Sequence, residues 1–202
     1  MQKTIILLAG YPGTGKTFLA EMLLKSFPHM KLVSPDEFKE QNWDQFGFNN
    51  LEEKERLIRK SWKEYYAEIE RLCHEQNSVI SDYPFSNKQR ETLKLLASHY
   101  HYQLVTIRLV AELDRLFERQ KKRDLAEDRH LGHILTQYHK GMTVEREQAD
   151  NLLSYENFLL RCTTRGYETF ALGRLFEVDV TDFSKVDYSQ LLAELATIIG
   201  TD

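Results

Sequence analysis

The chain has 202 residues, 42% of them hydrophobic and 29% charged, enough for one domain with a sizeable core. Its net charge of −4 argues against a dedicated nucleic-acid surface, so nucleic acid is not an expected partner. The cysteines Cys73 and Cys162 form neither a disulfide framework nor a C-x-x-C pair, no apolar run reaches the roughly 18 residues of a membrane span, and no signal peptide precedes the first strand; a cytoplasmic protein without a membrane partner is expected.

Thr4–Ala9 is a short apolar, β-branched run and predicts a buried strand. Gly10-Tyr11-Pro12-Gly13-Thr14-Gly15-Lys16-Thr17 follows, fitting G-x-x-x-x-G-K-[ST]. Phe18, Leu19, Met22 and Leu23 then recur at helical spacing, so the motif lies between a strand and a helix. The spelling suits a triphosphate. Glycines let the backbone wrap closely, and successive N–H groups form an anion nest at a helix N-terminus. The stretch Gly10–Phe18 is therefore the expected nucleotide-binding segment, with ATP as the ligand. Lys16 is expected to reach the β- and γ-phosphate oxygens and Thr17 to place its hydroxyl on Mg²⁺.

Lys31–Ser34 reads as a second strand. Ser34-Pro35-Asp36-Glu37 then opens a helix, with Ser34 as N-cap and Glu37 closing a capping box. The segment Gln41–Asn50 is polar with Trp43, Phe46 and Phe48 interleaved, a loop whose aromatics either floor an acceptor pocket or join the core. A long helix runs from Leu51 to Gln76, with Ile58, Trp62, Tyr65, Ile69 and Leu72 on one stripe. Ser78–Asp82 is a third strand ending on a carboxylate. Ser86 to Gln89 is a capping box for a helix to about Tyr100, and Tyr102–Leu109 is a fourth strand. Glu112–Arg123 is helical, Asp124–Lys140 is polar and His-rich like a mobile loop, and Val144–Leu160 has helical character. Leu175–Val180 is a fifth strand and Tyr188–Ile199 a closing helix.

Strands alternate with helices, so the expected class is α/β, a doubly wound parallel five-stranded sheet with ligands at the carboxyl ends of its strands. One domain spans residues 1–202, with a lid at about 124–140 and an acceptor-binding helical region at about 38–76. Asp36 reads as a base that orients or deprotonates an attacking hydroxyl, against the plainer role of a first-turn helix acid. Asp82 reads as a second carboxylate near Mg²⁺, against a strand-end turn former; Ser81 interrupts the apolar run that usually precedes such an acid. Arg119 and Arg123 share a helix face and suit phosphoryl oxygens, against a solvated basic face, which is the reading for Arg115. His130 and His133 lack partners for a zinc site and fit a lid segment better.

Taken together, Gly10–Thr17, Ser34-Pro35-Asp36, Ser81-Asp82, Glu118-Arg119, Arg123-Asp124, Arg129-His130-Leu131-Gly132-His133 and Glu177-Val178-Asp179 resemble the small P-loop kinases grouped with the kinase domain of polynucleotide kinase, zeta toxin and chloramphenicol phosphotransferase. The resemblance covers nearly the whole chain. It implies a P-loop nucleoside triphosphate hydrolase fold with a helical lid, a base at Asp36, a phosphate clamp from Arg119 and Arg123, and ATP with Mg²⁺. Leu131 stands where that group usually has proline. The implied activity is transfer of the ATP γ-phosphate to a small-molecule hydroxyl. A polynucleotide or nucleotide-sugar kinase, and a nucleotide-dependent switch acting on a protein, are the alternatives. Acidic Glu52, Glu53 and Glu55 speak against a polynucleotide, and the shortness of the chain speaks against the switch.

Overall fold

Five strands form one all-parallel sheet in the computed structural model of the chain, which describes residues 2–200. β1 (Thr4–Gly10), β2 (Lys31–Leu32), β3 (Val79–Asp82), β4 (Gln103–Val110) and β5 (Arg174–Asp179) lie in the order β2-β3-β1-β4-β5. The central strand, β1, is buried along its whole length, as a strand covered on both faces must be, and this is why it reads as an unbroken apolar run. Its register sets Leu8 opposite Asp82 and Gly10 opposite Leu109.

Helices cover both faces: α1 (Lys16–Ser26), α2 (Pro35–Phe46), α3 (Leu51–His74), α4 (Asn87–His99), α5 (Leu113–Asp124), α6 (Tyr155–Thr164) and α7 (Ser189–Ile199). Alternate β1 side chains serve the two layers. Ile5 and Leu7 pack with Tyr65, Ile69 and Leu93 of α3 and α4. Ile6 and Leu8 pack with Leu19, Leu23, Leu195 and Ile199 of α1 and α7. The expected doubly wound α/β sheet is the one observed.

Local departures have local causes. The helix begun at Pro35 continues to Phe46 instead of giving way to a loop, and ends at Gly47 with φ of 63°. Trp43 turns inward and is buried, while Phe46 stays exposed against the Lys60 ammonium. Ser34 makes no side-chain cap; its hydroxyl turns to the Asp82 carbonyl at 3.5 Å. The second expected box forms, with Ser86 and Gln89 bonded reciprocally. Ser81 is buried because its hydroxyl joins three elements, donating to the Val33 carbonyl at 2.7 Å and meeting Tyr65 Oη at 2.9 Å. The helix expected from Val144 begins only at Tyr155, capped by Ser154, after a 3-10 turn at Arg146–Gln148.

The expected helical lid differs most. Residues 125–140 hold one 3-10 turn, Leu131–His133, and the rest is a strap without regular structure. Ile134, Leu135 and Tyr138 pack with Trp43, Phe48 and Leu57 in a third cluster. Phe48 and Tyr138 exchange backbone hydrogen bonds of 2.8 Å in both directions. His130 meets Asp44 at 3.0 Å and His133 meets Glu40 at 2.7 Å. A polar composition concealed a one-sided apolar set at 131, 134, 135 and 138. Because Ile134 is fully enclosed in this cluster, Ile134→Ala is expected to cost about 2–5 kcal/mol in urea unfolding. A loss below about 0.5 kcal/mol, the size of an ordinary surface substitution, would show that the strap hangs free.

Candidate active site

The loop between β1 and α1 is shaped by three glycines at positive φ: Gly10 at 113°, Gly13 at 83° and Gly15 at 80°. At Gly10 the requirement is steric as well, since a Cβ would stand 2.1 Å from the Leu109 carbonyl oxygen. The wrap is closed from inside by Lys16, whose Nζ donates to the carbonyls of Tyr11 at 2.7 Å and Gly10 at 3.3 Å and to Thr14 Oγ1 at 3.2 Å. Thr14 in turn donates to the Tyr11 carbonyl at 2.9 Å. Burial lowers Lys16 to about 7, against the opposing pull of Asp82 and with Arg123 adding to the fall. Phe18 is 61% exposed on α1 and does not line the cavity beside this loop.

Asp82 ends β3 beside the loop. Its Oδ2 accepts the Thr17 hydroxyl at 3.0 Å, whereas its buried Oδ1 has no hydrogen-bond partner. Burial raises the carboxyl, and the hydroxyls of Ser34 and Thr17 hold it back. A hydroxyl and a half-satisfied carboxylate side by side are oxygen donors suited to Mg²⁺, which takes few protein ligands and completes its shell with water and phosphate. The pair therefore fits that ion.

Asp36 stands in the first turn of α2, across from the loop. Its Oδ1 meets Lys39 Nζ at 2.8 Å, one helical step away, and Lys39 also donates to Tyr83 Oη at 3.0 Å. Burial works to raise the Asp36 carboxyl, but Lys39, with His133 and Arg129 behind it, brings it well below the usual carboxylate range. The side chain is an ionised hydrogen-bond acceptor, still 26% exposed.

Both arginines singled out from α5 reach this region, in different ways. Arg119 donates to the carbonyls of Val180 at 2.9 Å and Thr181 at 2.7 Å, and its guanidinium lies 3.8 Å from the Phe183 ring centroid. It is thereby anchored to the loop after β5, and its partner Phe183 stands beside Gly15, whose added Cβ would meet that ring at 3.2 Å. Arg123 is exposed and carries no hydrogen bond among the described residues.

One cavity of about 1170 Å³ joins these parts. Lys16, Thr17, Asp82, Asp36, Arg119 and Arg123 all line it. Trp43 Nε1, Gln120 Oε1, Asp82 Oδ1 and Arg129 Nε are buried atoms without a hydrogen-bond partner, and all four side chains belong to its wall. Buried polar groups are nearly always paired, so orphans gathered on one wall mark a place built for a ligand. Reading the sequence missed Lys39, whose i, i+3 spacing from Asp36 on a helix was the available signal. It also missed Arg161 and Arg165, an i, i+4 pair at the end of α6 that lines the same cavity. His130 is not on the wall; His133 is.

A family model described as AAA domain matches residues 5–143. No curated protein matches the chain. Among solved structures, a protein of Chloroflexus aurantiacus J-10-fl provisionally described as a kinase is similar over 98% of this chain and 97% of its own, at 23% identity and a TM-score of 0.74. A gluconokinase of Sinorhizobium meliloti 1021 aligns over 98% and 95% at 15% identity, with a TM-score of 0.54. The tunicamycin resistance protein of Deinococcus radiodurans aligns over 100% and 98% at 17% identity, also with a TM-score of 0.54. At these identities the likeness is one of fold, and the fold is that of the P-loop kinase-like group.

The Lys16 environment predicts a proton linkage. The free protein holds this amine at about 7, whereas phosphate oxygens need the ammonium. Binding of a non-hydrolysable ATP analogue at pH 8.5 is expected to take up close to one proton, and much less at pH 6. Calorimetry in two buffers of different ionisation heat reads this directly, and no uptake at pH 8.5 would overturn it. Unfolding follows the same sign. Between about 7 and 10.5 the unfolded lysine binds the proton and the folded one does not, so this group makes the ligand-free protein more stable as pH rises through that window.

Proposed function

The chain belongs to the AAA domain family, and on that premise we propose that it is an ATP-dependent kinase moving the γ-phosphate to a hydroxyl of a small-molecule acceptor. The observation that carries this reading is a single cavity lined both by the P-loop with its lysine and by a carboxylate held ionised on a separate element, Asp36. A simple nucleotide-binding module has no need of the second feature.

In this reading the loop amides and Lys16 bind the β- and γ-phosphates, and Arg123 closes on the transferred group from α5. Arg119 and Phe183 hold the nucleotide's other end against Gly13 and Gly15. Thr17 and Asp82 would hold Mg²⁺, which when bound neutralises charge on the β- and γ-oxygens. Asp36 accepts a hydrogen bond from the acceptor hydroxyl. The hydroxyl oxygen bonds to the γ-phosphorus, the bond from that phosphorus to the bridging oxygen breaks, ADP leaves, and the proton passes to Asp36 and then to water. In a loose transition state the hydroxyl becomes acidic only as its oxygen bonds to phosphorus, so a weak base in the right place suffices. The segment 38–76 supplies the acceptor's wall through Trp62 and Tyr66, which face the cavity at a ring separation of 5.6 Å. The strap at 125–140 brings Arg129 and His133 to the same wall.

Asp36→Asn is expected to lower acceptor-dependent ADP release by about 10²- to 10⁴-fold while nucleotide affinity holds. Stability falls as well, because Lys39 loses its only carboxylate partner among the described residues. An equally active Asp36→Asn protein would end the role of this carboxylate. Lys39→Gln gives the complementary result. Without the ammonium the Asp36 carboxyl rises, and an acidic limb moves up into the measurable range of the pH–rate profile. An unchanged profile would remove Lys39 from the mechanism.

A further inference from the structure

The cavity wall is far more basic than the protein that carries it. Ten lysines and arginines line it against three carboxylates, in a chain of net charge −4. In the kinase reading Lys16, Arg119 and Arg123 serve the nucleotide; the remaining cations stand on other elements of the same wall.

There Lys54 of α3, Arg129 of the strap and Arg161 of α6 come from three separate elements. Burial lowers the Lys54 amine to about 8, and the charges of Arg161 and Arg129 both add to that fall; Arg129 is opposed in turn, after its own burial, by Arg123. Their existing partners leave the group undercompensated. Lys54 Nζ donates at 2.9 Å to a neutral acceptor, the Leu135 carbonyl. Arg129 reaches Asp124 only at 3.5 Å through Nε, outside hydrogen-bond geometry. Arg161 has no hydrogen bond or ion pair among the described residues, and Arg165 beside it adds a like charge. Asp150, the carboxylate facing Lys54, is already bonded to the Thr136 amide and hydroxyl. Arg129 also lies within the field of Asp36. Cations crowded at this cost around an open cavity are arranged for an anion brought by a ligand.

We infer that the acceptor is itself a phosphorylated compound, whose phosphate or diphosphate group sits among Lys54, Arg129 and Arg161 while its hydroxyl faces Asp36. This deepens the kinase reading and rests on it for the transfer step only. The ring wall of Trp62, Tyr66 and Tyr83 beside this group suits a nucleotide or a sugar phosphate, the two sources of the same anionic chemistry.

Two measurements separate the claims. First, with the nucleotide site saturated by a non-hydrolysable ATP analogue and Mg²⁺, calorimetry follows pyrophosphate binding to the full chain. Saturable binding is expected, weakened at least 10-fold in Arg161→Gln, an exposed position with no partner to disturb. No binding, or equal binding to the variant, overturns the anion site whatever the enzyme does. Second, ADP release is followed with matched acceptors: nucleosides against their 5′-monophosphates, and hexoses against hexose phosphates. Release stimulated at least 10-fold by a phosphorylated member and not by its neutral partner is expected, and the responding pair tells nucleotide from sugar phosphate. Stimulation by neutral members alone overturns the inference and leaves the kinase reading standing. Pyrophosphate binding without stimulated release by any acceptor supports the anion site and counts against the kinase reading.

Discussion

Everything at the P-loop depends on a cation held indoors without a carboxylate bonded to it. Lys16 donates to two loop carbonyls and one hydroxyl, which brace the loop's curvature from inside. Those partners are neutral, and burial is enough to loosen the proton. Asp82, the nearest carboxylate to weigh on it, bonds Thr17 instead. The result is a preformed nest whose charge is completed only by an anion. This is an electrostatic form of pre-organisation: the geometry exists beforehand, and the field strengthens when phosphate enters.

Asp36 shows the opposite arrangement. It has a full partner in Lys39, and that partner is fixed from its far side by Tyr83, which leans edge-on against Trp62. The carboxylate is thus positioned by a chain of contacts leading into the acceptor's wall. Its charge is secure at any ordinary pH, which makes it a reliable acceptor of a hydrogen bond and a poor base toward a proton that is not already leaving. The two groups differ in kind: Lys16 is a cation short of charge, Asp36 an anion with its charge pinned.

The fold was legible in the sequence because its signals are local. β1, the glycine spelling and the helix after it stand within one short stretch, Thr4–Ser26, and the alternation of strands with helices follows from periodicity alone. Asp36 and Asp82 could be located because one opens the helix after β2 and the other ends β3, on the side where topology brings carboxyl-terminal loops together. Less was legible where contacts are distant. The strap reads as polar because its few apolar residues complete a cluster built by α2 and α3, and only the assembled cluster shows them as core. Arg119 reads as a phosphate clamp from its helix face, yet its two acceptors lie more than sixty residues ahead, in a loop whose carbonyls carry no sequence signal. Lys54 and Arg161 stand on different helices far apart in the chain, so their place on one cavity wall cannot be read from spacing.

A packed strap changes how water must be excluded. A lid that folds over the reactants would dry the cavity by moving, but here Ile134, Leu135 and Tyr138 are already enclosed in a cluster of their own. With the strap in place the cavity still has a volume of about 1170 Å³. On the proposed kinase reading, discrimination between water and the acceptor falls to Asp36 and the wall around it. A carboxylate tied to Lys39 gains little from a loosely held water, which presents its proton in no fixed direction. On the proposed reading, a hydroxyl held by its own scaffold against Trp62, and by its own anion among Lys54, Arg129 and Arg161, presents the proton in one place throughout. Position, more than basicity, would then separate transfer from hydrolysis, and the acceptor would supply that position with the parts of itself that do not react.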